Sequence, residues 1–196
     1  MKVELIQVSG VEGIIEGMKT SRRKSNIERI PQKVFNWGHW SVLEHSIMTV
    51  KVSEISRACT HQLVRHRIGN SYTQESQRYF DPVTDPDWFI IPPRIEKNRE
   101  LLKLYITARK KEAEEYKHYR ENGIPKEDAR FCLPNACKTV ITWSFNLSSI
   151  IWFLEMRMSK EAQWEIRLLA EKIYELIMTI PEWAEFLKHW KQGTRR

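Results

Sequence analysis

Ala136-Cys137-Lys138-Thr139-Val140-Ile141-Thr142-Trp143-Ser144-Phe145 alternates, with strand formers such as Val140 and Thr142, and Asn146 breaks it. Leu147-Ser148-Ser149-Ile150-Ile151-Trp152-Phe153-Leu154-Glu155-Met156-Arg157-Met158 follows at once, with its apolar residues at helical spacing. A strand therefore leads straight into a helix. Ser149, Phe153 and Arg157 stand four residues apart on one face of that helix, so Arg157 emerges near its end beside apolar neighbours. It can face a ligand there or complement the helix dipole.

Outward from this junction, Lys2 to Ser9 and Ile47 to Val52 read as strands, and Ile27 to Trp37 and Ile55 to Val64 as helices. Lys97 to Asn122 is a long amphipathic helix with Leu101, Tyr105, Ala108, Tyr116 and Tyr119 on its stripe, stopped by Asn122-Gly123. Pro125 opens a short turn through Arg130, Glu161 to Met178 is a helix with Ala162, Ile166, Leu169, Ile173 and Leu176 facing inward, and Pro181 starts a last helix ending near Trp190. Strands and helices do not alternate regularly, and neither GxGxxG nor GxxxxGK[ST] occurs. The expectation is an α+β fold with a mixed or antiparallel sheet and several long helices, in one domain over residues 1–196, since no linker or repeat divides the chain.

The N-terminus lacks a cationic region followed by a long apolar run, and no stretch nears the roughly 20 apolar residues of a membrane span. Cys59, Cys132 and Cys137 cannot all pair and form no CxxC, which suits a reduced, cytoplasmic protein with no metal site. The net charge of +7 is local: Lys19 to Lys33 and the tail Lys188 to Arg196 together carry +9, and the rest is close to neutral. A nonspecific nucleic-acid binder spreads its cations along one face, so nucleic acid is only the runner-up partner.

The richest polar stretch is Arg65-His66-Arg67-Ile68-Gly69-Asn70-Ser71-Tyr72-Thr73-Gln74-Glu75-Ser76-Gln77-Arg78-Tyr79. Arginine forks with hydroxyls and carboxamides suit an anionic, planar guest, of which a nucleotide is the natural case. The bland alternative is a set of cations at a helix C-terminus. Against it, Arg57, His61 and Arg65 recur at four-residue spacing with only Glu54 near enough to compensate, which implies an anion from elsewhere. Ser76 lacks the flanking glycines of a nucleophile elbow. His39-Trp40-Ser41-Val42-Leu43-Glu44-His45, taken alone, reads as a helix-capping segment.

Arg65 to Tyr79 resembles the signature of the flavin-dependent thymidylate synthases: arginine-histidine-arginine, a spaced serine, then x-Arg-Tyr. The blocks His39-x-Ser41-x-x-Glu44-His45, Ala129 to Pro134, and Leu154-Glu155-x-Arg157 with Ala162 to Arg167 are similar to that family too, in the right order. The resemblance implies an FAD-dependent methyltransferase that converts dUMP to dTMP, with methylenetetrahydrofolate as carbon donor and NADPH as reductant. It also implies a homotetramer with sites shared between subunits. By position, Gln62, Arg65, Gln74, Glu75, Ser76, Gln77, Arg78, Arg130 and Arg157 are the implied dUMP contacts. Arg157 promotes ionisation of the uracil ring, and Ser76 binds first and reacts second. His39, Ser41, Arg65, His66, Arg67, Gln74, Asn146 and Trp152 are the implied FAD contacts. The chain departs from the pattern in three places: an extra residue between Arg67 and Ser76, Ser148 where an arginine is usual, and Trp152 where histidine or asparagine is usual. A related methylase acting on UMP or another uridine nucleotide is the alternative.

Overall fold

The computed structural model describes residues 1–24, 26 and 28–190. Four strands, β1 (Lys2–Val8), β2 (Ile47–Ser56), β3 (Asn70–Gln74) and β4 (Lys138–Asn146), form one sheet in the order β1-β2-β4-β3. Hydrogen bonds fix its sense. Ser9 N–H donates to Ile47 O, and Arg57 N–H to Cys137 O, while the Thr49 and Ser144 hydroxyls meet at 2.9 Å. Glu75 N–H donates to Val140 O and Asn146 N–H to Gly69 O, so every neighbouring pair is antiparallel.

The chain groups into two compact units, one of residues 1–52, 62–73 and 142–196, the other of 53–61 and 74–141. In the first, helices α1 (Glu12–Arg22) and α2 (Ile30–Trp37) precede a 3-10 helix, Trp40–His45. Later come α7 (Leu147–Arg157), α8 (Trp164–Met178) and α9 (Pro181–His189). Helix α8 packs on α7, α9 and β1, and α2 packs on α9. Trp143 and Phe153 are wholly buried with ring centroids 4.9 Å apart, so the middle of α7 is held against β4 by aromatic packing.

In the second unit α3 (Arg57–Leu63) begins; α4 (Pro93–Glu96), α5 (Arg99–Glu121) and α6 (Lys126–Ala129) lie wholly within it. The core here is smaller: Val83, Trp88, Tyr116, Ala129 and Cys137. Asn98 caps α5 by accepting from Glu100 N–H and Leu101 N–H. The Tyr116 hydroxyl donates to Asp81, which Lys126 and Arg120 also face, and that hydrogen bond holds the Asp81 carboxyl below its ordinary range.

Several expectations need correction. Residues 55 and 56 belong to β2 rather than to a helix, and α3 ends at Leu63. Arg65 therefore lies beyond the helix, so its four-residue stacking with Arg57 and His61 does not hold. The polar segment Asn70–Gln74 is a strand, and Glu12–Arg22 a helix, where neither was expected. Helix α8 starts at Trp164, because Gln163 caps it by accepting from Glu165 N–H and Ile166 N–H. The expected helix start at Ile27 and the tail's Lys191, Arg195 and Arg196 lie outside the described residues. Among the described residues no helix is long and apolar enough to cross a membrane.

Candidate functional site

The first unit builds its polar centre from the end of α7 and the loop after α3. His66 is 2% exposed, with its ring edge-on to Trp152 at 4.8 Å and to Phe153 at 5.1 Å. Arg157, on the last turn of α7, donates Nε–H to His66 Nε2 at 2.9 Å. A guanidinium only donates, so Nε2 carries the lone pair and the neutral imidazole holds its proton on Nδ1. That Nδ1 is buried and has no partner among the described residues. Burial, and then the Arg157 charge, push the imidazole from the ordinary 6.5 down to about 4. The terminal nitrogens of Arg157 have no hydrogen-bond partner among the described residues, so their donors remain available.

A histidine kept neutral by the fold makes stability pH-dependent. Above about 6.5 both states are neutral at this site. As pH falls from there toward 4, the unfolded chain binds a proton that the folded chain refuses, so stability declines across that window and levels off below it. Urea unfolding followed from pH 7.5 to 4 should show this slope, and His66→Phe should flatten it. An equal slope in the variant would assign the effect to other groups.

Between His66 and β3 the chain turns through Ile68-Gly69-Asn70, and this turn is tied down on all sides. Gly69 O accepts from Asn146 N–H at 3.1 Å and lies 3.1 Å from the Ser149 hydroxyl. Asn70 accepts from Trp143 Nε1–H at 2.7 Å, and Tyr72 stacks on Trp143 with centroids 6.1 Å apart. The Tyr72 hydroxyl lies 2.7 Å from His66 O. Asn146 caps α7, its Oδ1 accepting from Ser149 N–H at 2.8 Å. The strand-to-helix junction thus positions the arginine-histidine-arginine loop. Arg65 and Arg67 flank buried His66, are exposed, and have no carboxylate partner among the described residues. Gln62 lies in the last turn of α3 and is partly exposed.

Elsewhere in this unit His39 accepts from the Arg22 guanidinium at 2.7 Å and precedes the 3-10 helix that carries exposed Ser41. His39 makes no side-chain cap hydrogen bond, against the capping expectation. Ser148, where an arginine was expected by resemblance, is 5% exposed. Trp152 stands one turn later on α7 and covers the edge of His66.

The second unit holds the other expected residues. Gln74 Nε2–H donates to the Thr139 hydroxyl at 3.2 Å, and buried Gln77 donates to the Cys137 sulfur at 3.2 Å. Burial pushes the Cys137 thiol up to about 11, so it stays protonated. Exposed Glu75 has its carboxyl raised by burial of part of its surroundings, with Arg57 opposing. Ser76 Oγ accepts from Arg78 N–H at 3.4 Å, and no base hydrogen-bonds it among the described residues. Nothing there activates it as a nucleophile. Arg78 and Arg130 converge on one residue that the sequence reading missed: Arg78 Nε–H donates to the Glu127 carboxylate at 3.0 Å, and Arg130 Nε–H to Glu127 O at 3.1 Å. Its signal was the acidic pair Glu127-Asp128 directly after Pro125 and Lys126. Tyr72 and Trp143 were also missed as supports, because stacking across strands leaves no local spacing to read. Among the described residues no group of three or more His, Cys, Asp and Glu could hold a metal ion.

The family model described as thymidylate synthase complementing protein matches residues 5–181. The flavin-dependent thymidylate synthase of Pyrococcus furiosus is 39% identical over 174 residues, 88% of this chain and 71% of that protein. Its counterpart in Pyrococcus horikoshii is 43% identical over 165 residues, 83% of this chain and 68% of that protein. Among solved structures, a UMP/dUMP methylase PolB from Streptomyces cacaoi bound with 5-Br dUMP superposes with a TM-score of 0.84. It covers 98% of this chain and 97% of its own at 20% identity, a likeness of fold. The chain belongs to the thymidylate synthase complementing protein family, the family of the flavin-dependent thymidylate synthases.

Proposed function

We propose that the chain methylates dUMP to dTMP, with methylenetetrahydrofolate as carbon donor and NADPH as reductant through bound FAD. The observation that carries this reading is Arg157, anchored through Nε on neutral His66 with its terminal donors unpaired. A guanidinium held in this way stabilises negative charge developing on a pyrimidine ring and so favours attack from the ring carbon. Because His66 is neutral, it anchors Arg157 without competing for that charge.

In this reading dUMP is held by Gln62, Arg65, Gln74, Glu75, Ser76, Gln77, Arg78, Arg130 and Arg157. Arg78 is paired with Glu127 in an exposed bridge, which contributes at most about 1 kcal/mol. A phosphate can displace Glu127 from it at small cost. Ser76→Ala removes one hydroxyl without leaving a buried charge unpaired. It should therefore weaken dUMP binding by roughly tenfold or less and leave turnover largely intact. Loss of all turnover would make Ser76 a reacting group.

FAD supplies hydride transfer when bound. The residues fit it: the unpartnered Nδ1–H of His66 is a ready donor, and Arg65 and Arg67 are cations without carboxylates beside it. His39, Ser41, Gln74, Asn146 and Trp152 complete the proposed contacts, with Trp152 offering a ring edge where the family has a polar side chain. Exposed Ile68, Tyr79, Leu104 and Phe131, each at least 67% accessible, support a homotetramer that shares its sites between subunits. The three cysteines are free, as suits a cytoplasmic enzyme, and residues 1–196 work as one catalytic domain.

The test is one incubation with FAD, NADPH, methylenetetrahydrofolate and an equal mixture of dUMP and UMP, with the nucleotide product identified by mass. dTMP as the main product is expected. Methylated UMP in equal amount would replace the reading by that of a broader uridine-nucleotide methylase, and no product at all would overturn it.

A further inference from the structure

A polar cavity of about 420 Å³ lies in the first unit and is lined by Arg22, Lys24, Asn26, Lys33 and Trp37. Its cations are not spent on protein acids. Among the described residues, Arg22, Lys24 and Lys33 have no carboxylate within ion-pair distance, and Glu28, the only acid between Lys19 and Lys33, makes no ion pair. Instead the Arg22 guanidinium lies over the Trp37 ring at 4.6 Å and Lys33 Nζ at 5.7 Å. Lys33 and Trp37 stand one turn apart on α2, which aligns them. Arg23 and Arg29 both hold left-handed φ of 52°, a strained conformation for non-glycine residues, where α1 ends and α2 begins. Arg22 also donates to His39 at 2.7 Å, which joins this cavity to a proposed flavin contact.

We propose that this cavity is an anion subsite for the glutamyl tail of the folate cosubstrate; the inference rests on the proposed function. The chemistry favours a chain of carboxylates over a phosphate or a stacked base. Arg22 and Lys33 both lie over the Trp37 ring, so a base stacking there competes with two cations. The Arg22 fork is partly committed to His39, which disfavours bidentate phosphate capture. The two lysines are point charges with rotatable donors, suited to successive carboxylates of a flexible tail.

The test uses the full chain loaded with FAD, and equilibrium dialysis against tetrahydrofolate carrying one or five glutamyl residues. The wild-type protein should bind the pentaglutamate on the order of tenfold more tightly, with the gap narrowing as salt rises. Lys24→Gln/Lys33→Gln should abolish the gap while binding of the monoglutamate and of dUMP stays as before, and Lys33→Gln alone should remove part of it. Equal affinity for both folates in the wild type, or an undiminished gap in the double variant, overturns the subsite. So does a variant that instead loses preference for NADPH over NADH, since the cavity then holds a phosphate. dTMP formation with the monoglutamate, run on the same preparation, separates the two levels. Its absence overturns the proposed function, and its presence without a tail preference overturns the subsite alone.

Discussion

Arg157→Ala is expected to lower the rate of dTMP formation by roughly 10²–10³-fold, the effect of removing one fixed donor from developing charge in a water-poor site. Binding of dUMP should weaken less, because the other proposed contacts remain. Arg157→Lys should not rescue turnover. The native side chain spends Nε–H on His66 Nε2 and keeps two further nitrogens free in a fixed plane, whereas an ammonium reaching His66 has no second, oriented donor. His66→Phe provides the companion measurement, since it leaves the arginine in place but unanchored. Single-turnover rates at saturating dUMP should then fall well short of the wild-type value yet exceed that of Arg157→Ala. If Arg157→Ala turns over within about threefold of wild type, too small a loss for a preorganised donor, the ring is activated by another group.

This centre was partly legible from sequence. The change from alternating to helical spacing at Asn146 located the β4–α7 junction and put Arg157 at the end of its helix. The contact that gives Arg157 its orientation spans 91 residues to His66, and no local pattern encodes such a pairing. Helix α1 escaped notice because it buries only Ile14 and Met18 and carries two glycines, which lower helix propensity. The fold uses those glycines for close packing: a Cβ at Gly13 would stand 2.9 Å from His45 Cβ, and one at Gly17 3.3 Å from His45 Cδ2. Strand β3 escaped because Asn70-Ser71-Tyr72-Thr73-Gln74 has no apolar alternation; it is a strand because it pairs with β4 and its Tyr72 stacks on Trp143. Local pattern located the long α5 and its stop at Asn122-Gly123, but its inward face only in part: Tyr116 is buried as expected, whereas Leu101 and Tyr119 of the expected stripe are exposed.

Gly69→Ala is the substitution with the largest expected effect on stability, and it tests the turn that holds the arginine-histidine-arginine loop. Gly69 has φ of +68°, so any side chain pays the left-handed penalty of about 1–2 kcal/mol. A Cβ there would also stand 2.5 Å from Asn146 Nδ2 and 2.9 Å from Asn146 Cγ. Asn146 cannot swing aside freely, because its Oδ1 caps α7 and its N–H bonds Gly69 O. Displacing it adds the loss of a cap, about 1 kcal/mol. The combined 2–3 kcal/mol should lower Tm by roughly 5–10 °C for a chain of this size. Gly38→Ala is the control, for Gly38 shares the φ of +68° but nothing lies within 4 Å of its added Cβ. It should cost only the backbone share, so the difference between the two variants measures the Asn146 contact. Equal Tm losses would mean that the turn accommodates a methyl group and that Asn146 does not brace the loop. A larger loss at Gly69, accompanied by weaker FAD binding, would tie the geometry of the cofactor loop to the cap of α7.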